Sequence, residues 1–465
     1  MRPISTRQSA RLQSPPTQER IRFSPQQLVG FLVVAFAVTE YSTLWIYPNI
    51  KAEILFSAGS DALGKVTSSV TRAGGAQFRL LVWMIFAAGY GMFLLTRPIS
   101  SVLTILGPYL LFIIFAILSA IAGDSVGTSI WFVMQWLVMV LAASVAGQLS
   151  SPATMRNAGE FVFAFGAFGS LLLAVVAPSM AINASGGSML LHGLFAGKNM
   201  AGWFTCLGFI WIYAFRTRPL NWLSYLTMFA LLVMLVWSGS KTSLAVLMAA
   251  IAYYQLMRFL QRLRIHWITA SLATAVIVGA SVLTAQTILP MLIEMLGKDP
   301  TLTGRTAIWD AYLRFMQDEF WLGKGPGAFA FASELNQRVA ETMEEGQRVY
   351  GVHNMYLALF GDIGFLGAMF NVVALVYVLL IPPFRERSPG HMVAAVIALA
   401  ILISGFSEAH EHIVPGIATF LLVAARSSSV RQAVATRAKS LPVNPYFDRR
   451  KTSGYAGGIK ASQPT

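Results

Sequence analysis

Apolar stretches long enough to cross a hydrocarbon core, which takes about 20 residues in a helix, recur along the chain with short polar turns between them. The pattern predicts helices over 28–47, 79–95, 99–121, 130–147, 160–182, 200–215, 220–237, 242–260 and 265–289. A polar segment, 290–352, then interrupts the run. Three further apolar stretches follow at 353–381, 392–407 and 413–425, for about twelve spans in all. The region 405–416 reads equally as a kink inside one longer helix. The ten-residue alternation of an outer-membrane barrel is missing, so the expected fold is all-α, a polytopic integral membrane protein.

Composition agrees. Hydrophobic residues make up 56% of the 465 and charged residues only 12%, with a mean hydropathy of +0.62, too little charge for a soluble surface. The formal charge of +14 argues less for nucleic acid than for topology, because Arg and Lys crowd the tails and short loops. With residues 1–27 inside, the loops carrying Arg97, Arg156, Arg216, Arg218, Arg258, Arg262, Arg264, Arg385 and Arg387 are all cytoplasmic. Residues 1–27 lack an apolar core and read as a disordered cytoplasmic arm, and 426–465 as a basic disordered cytoplasmic tail. The membrane parts are then 28–289, with nine helices, and 353–425, with three, separated by a large outer loop at 290–352. Within that loop 306–320 has helical apolar spacing and is expected to lie on the outer membrane surface. Cys206 is the single cysteine, which excludes an intrachain disulfide and a cysteine-based zinc site.

On this topology Lys198, Lys241, Arg305 and His353 fall at one outer level. Lys241 opens a helix, where dipole and exposed amides disfavour a cation unless an anion is also bound; an interfacial lysine reaching water is the plainer reading, and it holds for Lys198 as well. Arg305 follows Gly304 and offers a planar fork for phosphate, or pairs with Asp310 or Asp318. His353 stands where the loop re-enters the membrane, a half-dry position for a neutral imidazole base or for a simple helix cap. Lys324, in Gly323-Lys324-Gly325-Pro326-Gly327, belongs to a flexible turn that lacks the Walker A spacing. Glu408 and Glu40 are acids within apolar runs, which usually face a cavity; Glu408 is placed to bind a sugar or a basic residue. His410-Glu411-His412 would diverge on a helix, so no metal site is expected.

Four motifs in order, Ser-Gly-Ser-Lys-Thr-Ser-Leu at 238–244, Gly-Arg-Thr-Ala-Ile-Trp at 304–309, Gly-Lys-Gly-Pro-Gly-Ala-Phe at 323–329 and His-Asn-Met-Tyr-Leu at 353–357 with Gly361, Gly364 and Gly367, resemble the O-antigen ligase and polysaccharide polymerase family. Gly-Lys-Asn at 197–199 is similar to its exopolysaccharide-production branch, and the likeness covers 191–367.

The resemblance implies transfer of a glycan from a polyprenyl diphosphate carrier to a hydroxyl acceptor, with inversion, at the periplasmic face of a bacterial inner membrane. It implies no metal and no cofactor. Lys241 and Arg305 then neutralise the diphosphate and His353 acts as general base, with Lys198, Asn199, Asn354, Lys324 and Glu408 binding substrate. Ligases of the family often carry arginine where this chain has Lys241. That departure, with Gly-Lys-Asn and His-Asn, points to polymerisation of exopolysaccharide or O-antigen repeats ahead of ligation of finished glycan to lipid A core. The expected partners are the lipid-linked donor, the glycan acceptor and membrane lipids, with a chain-length regulator and export proteins as candidates and no nucleic acid. A polysaccharide or lipid-linked oligosaccharide flippase is the competing class, although its usual internal repeat is not visible.

Overall fold

The computed structural model describes residues 24–42, 44, 75–96, 99–123, 125–185, 188–195, 197–215, 220–295, 305–316, 319–327, 352–408 and 416–440. The expected arm up to residue 23, the parts 296–304 and 328–351 of the loop expected outside, His410-Glu411-His412 and the tail beyond 440 lie outside these residues.

The described chain is almost entirely helical. α1 (Pro25–Tyr41), α2 (Gly75–Thr96), α3 (Ser100–Leu106), α4 (Leu110–Ala122), α5 (Val126–Leu149) and α6 (Pro152–Val176) lead to the short α7 (Pro178–Ala181). A two-stranded antiparallel hairpin follows, β1 (Ile182–Ser185) with β2 (Ser188–Leu191), pairing Ile182 with Leu191. Next come α8 (Lys198–Ala214), α9 (Trp222–Ser238), α10 (Lys241–Arg262), α11 (Trp267–Met295) and α12 (Arg305–Phe315). α13 (Met355–Leu380), α14 (Pro382–Arg385), α15 (Pro389–Ser404) and α16 (Ile417–Ser440) complete the fold. Among the described residues four helices, α5, α6, α10 and α13 continued by α14, are long and apolar enough to cross a membrane, and six shorter apolar helices accompany them.

Several departures from the pattern have plain causes. The stretch expected as one span over 99–121 breaks at Gly107-Pro108, where a 3₁₀ turn separates α3 from α4 because proline cannot donate to the preceding turn. The span expected to reach 182 ends at Val176, and Ile182 belongs to β1, so the fold is not purely α-helical. The region 405–416 separates two helices, α15 and α16. The tail expected to be disordered from 426 instead continues α16 to Ser440. Its polar start packs: Ser427 donates to the Ser144 carbonyl at 2.6 Å, and Arg426 is buried with its guanidinium on the Ile105 carbonyl, one of the groups left beside the broken turn. The helix expected over 306–320 spans 305–315, and its Ala311 and Tyr312, with Met316 just after it, pack with Val352, Leu357 and Phe360.

α9 shows how the fold meets lipid. Tyr225, Phe229 and Val236 are exposed along it, while Ser224, Thr227, Leu231, Met234 and Leu235 are buried. Exposed Trp222 and Trp237 stand at its two ends, about 22 Å apart at 1.5 Å per residue, the placement expected of interfacial tryptophans. α9 ends in left-handed Gly239, and α10 begins two residues later, at the same interface. α8 is buried nearly all round, with Trp203 and Trp211 among the largest fully buried side chains, and so forms an inner post against α6, α9, α10 and α15.

Candidate functional site

Four helices begin around the short strip Gly405–Glu408 that follows α15. Lys198 is the first residue of α8, Lys241 of α10 and Arg305 of α12, while Asn354 caps α13. The starts of α8 and α10 lie side by side because Gly202 has no side chain: a Cβ there would sit 2.4 Å from that of Ser240. Each helix start presents unsatisfied amides and roughly half a positive charge. The strip between them therefore lies in a strongly positive field.

Glu408 is the acid in that field and is largely buried. Asn199 donates from Nδ2 to its Oε1 at 2.8 Å. An Arg305 terminal nitrogen lies 3.6 Å from Oε1, and His353 Nδ1 lies 3.9 Å from Oε2. Arg305 also donates to the Ser407 carbonyl. Thr242, beside Lys241, bonds the Ser407 hydroxyl through its own at 3.1 Å. One dipeptide, Ser407-Glu408, thus ties together α8, α10, α12 and the residue preceding the cap of α13.

His353 holds a left-handed backbone, φ 47°. For a residue with a Cβ that costs about 1–2 kcal/mol, and such strain collects at functional positions. Its neighbours over-determine it. Asn354 accepts from the Tyr356 and Leu357 amides at 2.9 and 3.1 Å and reaches the Phe406 carbonyl at 3.4 Å, while Trp309 donates to the Val352 carbonyl at 2.9 Å. Buried Tyr312, whose phenol burial pushes well above its usual titration range, fixes α12 to the same point.

The predicted residues therefore separate. Asn199, Arg305, His353 and Glu408 meet directly, with exposed Lys198 and Lys241 one position from Asn199 and Thr242. Asn354 caps α13 and braces Phe406 with its amide, and it also lines the groove beside Trp309. Lys324 stands apart: its backbone amide donates to the Gly361 carbonyl at 2.9 Å, about 10 Å further along α13 than Asn354. There the 320–325 segment docks into a broken turn at Gly364 (φ 69°), where Phe365 donates to the Phe320 carbonyl at 2.8 Å and Gly325 to that of Asp362 at 2.9 Å. Ser407 and Thr242 were missed, since a hydroxyl bond across 165 positions leaves no trace in spacing.

Beside the cluster lies an open groove of about 560 Å³, lined by Trp309, Leu313, Tyr356, Leu357 and Phe406 and reaching Val372. No group of three or more metal-ligating side chains occurs among the described residues. The arrangement offers cations and helix amides to an anion, a half-exposed imidazole beside it, and an apolar trough leading away. No curated protein matches the chain. Residues 226–372, which carry Lys241, Arg305, Lys324 and His353, match the family model described as O-Antigen ligase, and over that stretch the chain is similar to a family of glycosyl-transferring membrane enzymes.

Proposed function

We propose that the protein is a membrane glycosyltransferase that polymerises polyprenyl-diphosphate-linked oligosaccharide repeats into exopolysaccharide or O-antigen at the periplasmic face of the inner membrane. The observation that carries this reading is the convergence of four helix starts and Arg305 around Ser407-Glu408, next to His353, with Lys198 and Lys241 opening two of those helices. A diphosphate is the leaving group such a field favours, because its charge grows as the bond to the anomeric carbon breaks. Arg305 supplies a fork and Lys241 a point charge. Lys198 extends the positive rim. The aromatic and aliphatic groove beside Trp309 suits the isoprenoid chain of the carrier.

In the displacement, the acceptor hydroxyl oxygen attacks the anomeric carbon and its proton passes to His353 Nε2. The bond from that carbon to phosphate oxygen breaks, and the electron pair leaves with the diphosphate. A single displacement inverts the anomeric centre. This chain's own groups supply the charge stabilisation, so the reading needs no metal. Transfer of finished glycan to lipid A core is the second reading, favoured by the description of the matched family; donor and chemistry are shared and only the acceptor differs. Surface glycan from cells lacking the protein separates the two. Single repeats accumulating on the carrier support polymerisation, and long carrier-linked chains support ligation.

A further inference from the structure

Glu408 lies outside the matched stretch, 226–372, yet it is the group on which the site's charges meet. Its two oxygens face different partners. Oε1 takes the Asn199 amide at 2.8 Å and stands 3.6 Å from Arg305, while Oε2 faces His353 Nδ1 across 3.9 Å, too far for a hydrogen bond. Arg305 is held through Glu408 and the Ser407 carbonyl.

We propose that Glu408 is a positioning residue that couples donor binding to activation of the base: a diphosphate that draws Arg305 away leaves the carboxylate to engage His353 Nδ1–H. This inference rests on the reading of the site as one for a lipid diphosphate. An imidazole that donates from Nδ1 to a carboxylate carries its free electron pair on Nε2 and holds a proton there more strongly. The base therefore becomes competent only when the leaving group is seated. Without a donor, Arg305 stays on Glu408 and the carboxylate stands 3.9 Å from the imidazole. Asn199 holds Oε1 throughout, so Oε2 stays aimed at His353. Among the described residues, the other charged groups at this face are Lys198 and Lys241 at the starts of α8 and α10 and Asp310 in the adjoining groove.

The test follows modification of His353 by diethyl pyrocarbonate in the purified full chain, resolved by peptide mass spectrometry across pH, with and without a polyprenyl diphosphate. In the native protein, binding moves the midpoint of modification up by about one pH unit. Glu408→Gln keeps the hydrogen bond to Asn199 but not the charge, and less than half of that movement remains, owed to the bound anion itself. Glu408→Asp restores most of it. Turnover of Glu408→Gln falls about a hundredfold with donor KM changed less than threefold, a split that neither a sugar-binding nor a merely structural role gives. Equal movement in the native and Glu408→Gln proteins overturns the coupling while leaving the donor reading intact. Failure of the native protein to bind the diphosphate removes the donor reading and this inference together.

Discussion

Asn199 Nδ2 donates to Glu408 Oε1 at 2.8 Å, joining the first turn of α8 to the strip after α15 across 209 positions of sequence. Both residues lie outside the stretch that matches the family model. Asn199→Ala is expected to let the Glu408 carboxylate swing, reducing transfer about tenfold with membrane insertion unchanged. Initial rates in reconstituted membranes check this.

Arg305 reaches the Ser407 carbonyl and Glu408 together, which uses the planar fork of a guanidinium. Arg305→Lys keeps the charge and loses the fork, so donor turnover should fall at least tenfold. Lys241→Arg, at a position that uses only a point charge, should keep most of its activity. Steady-state kinetics against donor concentration distinguish the two substitutions.

The left-handed backbone of His353 allows function and stability to be separated. His353→Gly removes the imidazole and accepts φ 47° without strain; transfer should vanish while thermal stability holds or rises by about 1 kcal/mol. His353→Ala should lose the activity without that gain. Melting curves in detergent beside transfer assays give the comparison.

Gly364 holds the turn into which the 320–325 segment docks, and a Cβ there would stand 2.1 Å from the Trp321 carbonyl oxygen at φ 69°. Gly364→Ala should cost about 2 kcal/mol or more and release that segment to protease. Limited proteolysis with mass mapping reads the release.

On the opposite end of α13, Glu386 accepts a hydrogen bond from His391 Nε2 at 2.6 Å. That bond, together with nearby Arg426 and Arg385, holds its carboxyl below the usual carboxylate range despite partial burial. A depressed carboxylate stabilises the fold above its unfolded-state value, and the stability is lost as pH falls from about 4. Glu386→Gln should flatten that acid limb of a melting-temperature profile by lowering the neutral region toward the acid value.

The helices were legible because hydropathy repeats at the length of a bilayer, and the cations because they sit at helix starts. The break at Gly107-Pro108 was written in proline, but an apolar window reads through it. The continuation of α16 past Ala425 was hidden because Arg426 and Ser427 look like a solvated tail until the carbonyls of Ile105 and Ser144 are brought to them. Asn354 stood out because it adjoins His353, but its hydrogen bonds to the Tyr356 and Leu357 amides form only when α13 does. Glu408 was visible as an acid in an apolar run, but Asn199, Arg305 and His353 reach it from α8, α12 and the residue before Asn354, and only folding brings them together.

The central claim is that His353 and the cations around Glu408 transfer a glycan from a lipid diphosphate. The direct measurement is proteoliposomes of the purified protein given polyprenyl-diphosphate oligosaccharide, with new glycosidic bonds and released polyprenyl diphosphate followed together. Both products should form in equal amounts with the native protein and neither with His353→Ala. Movement of intact donor across the membrane without new bonds, or undiminished bond formation by His353→Ala, would contradict that claim.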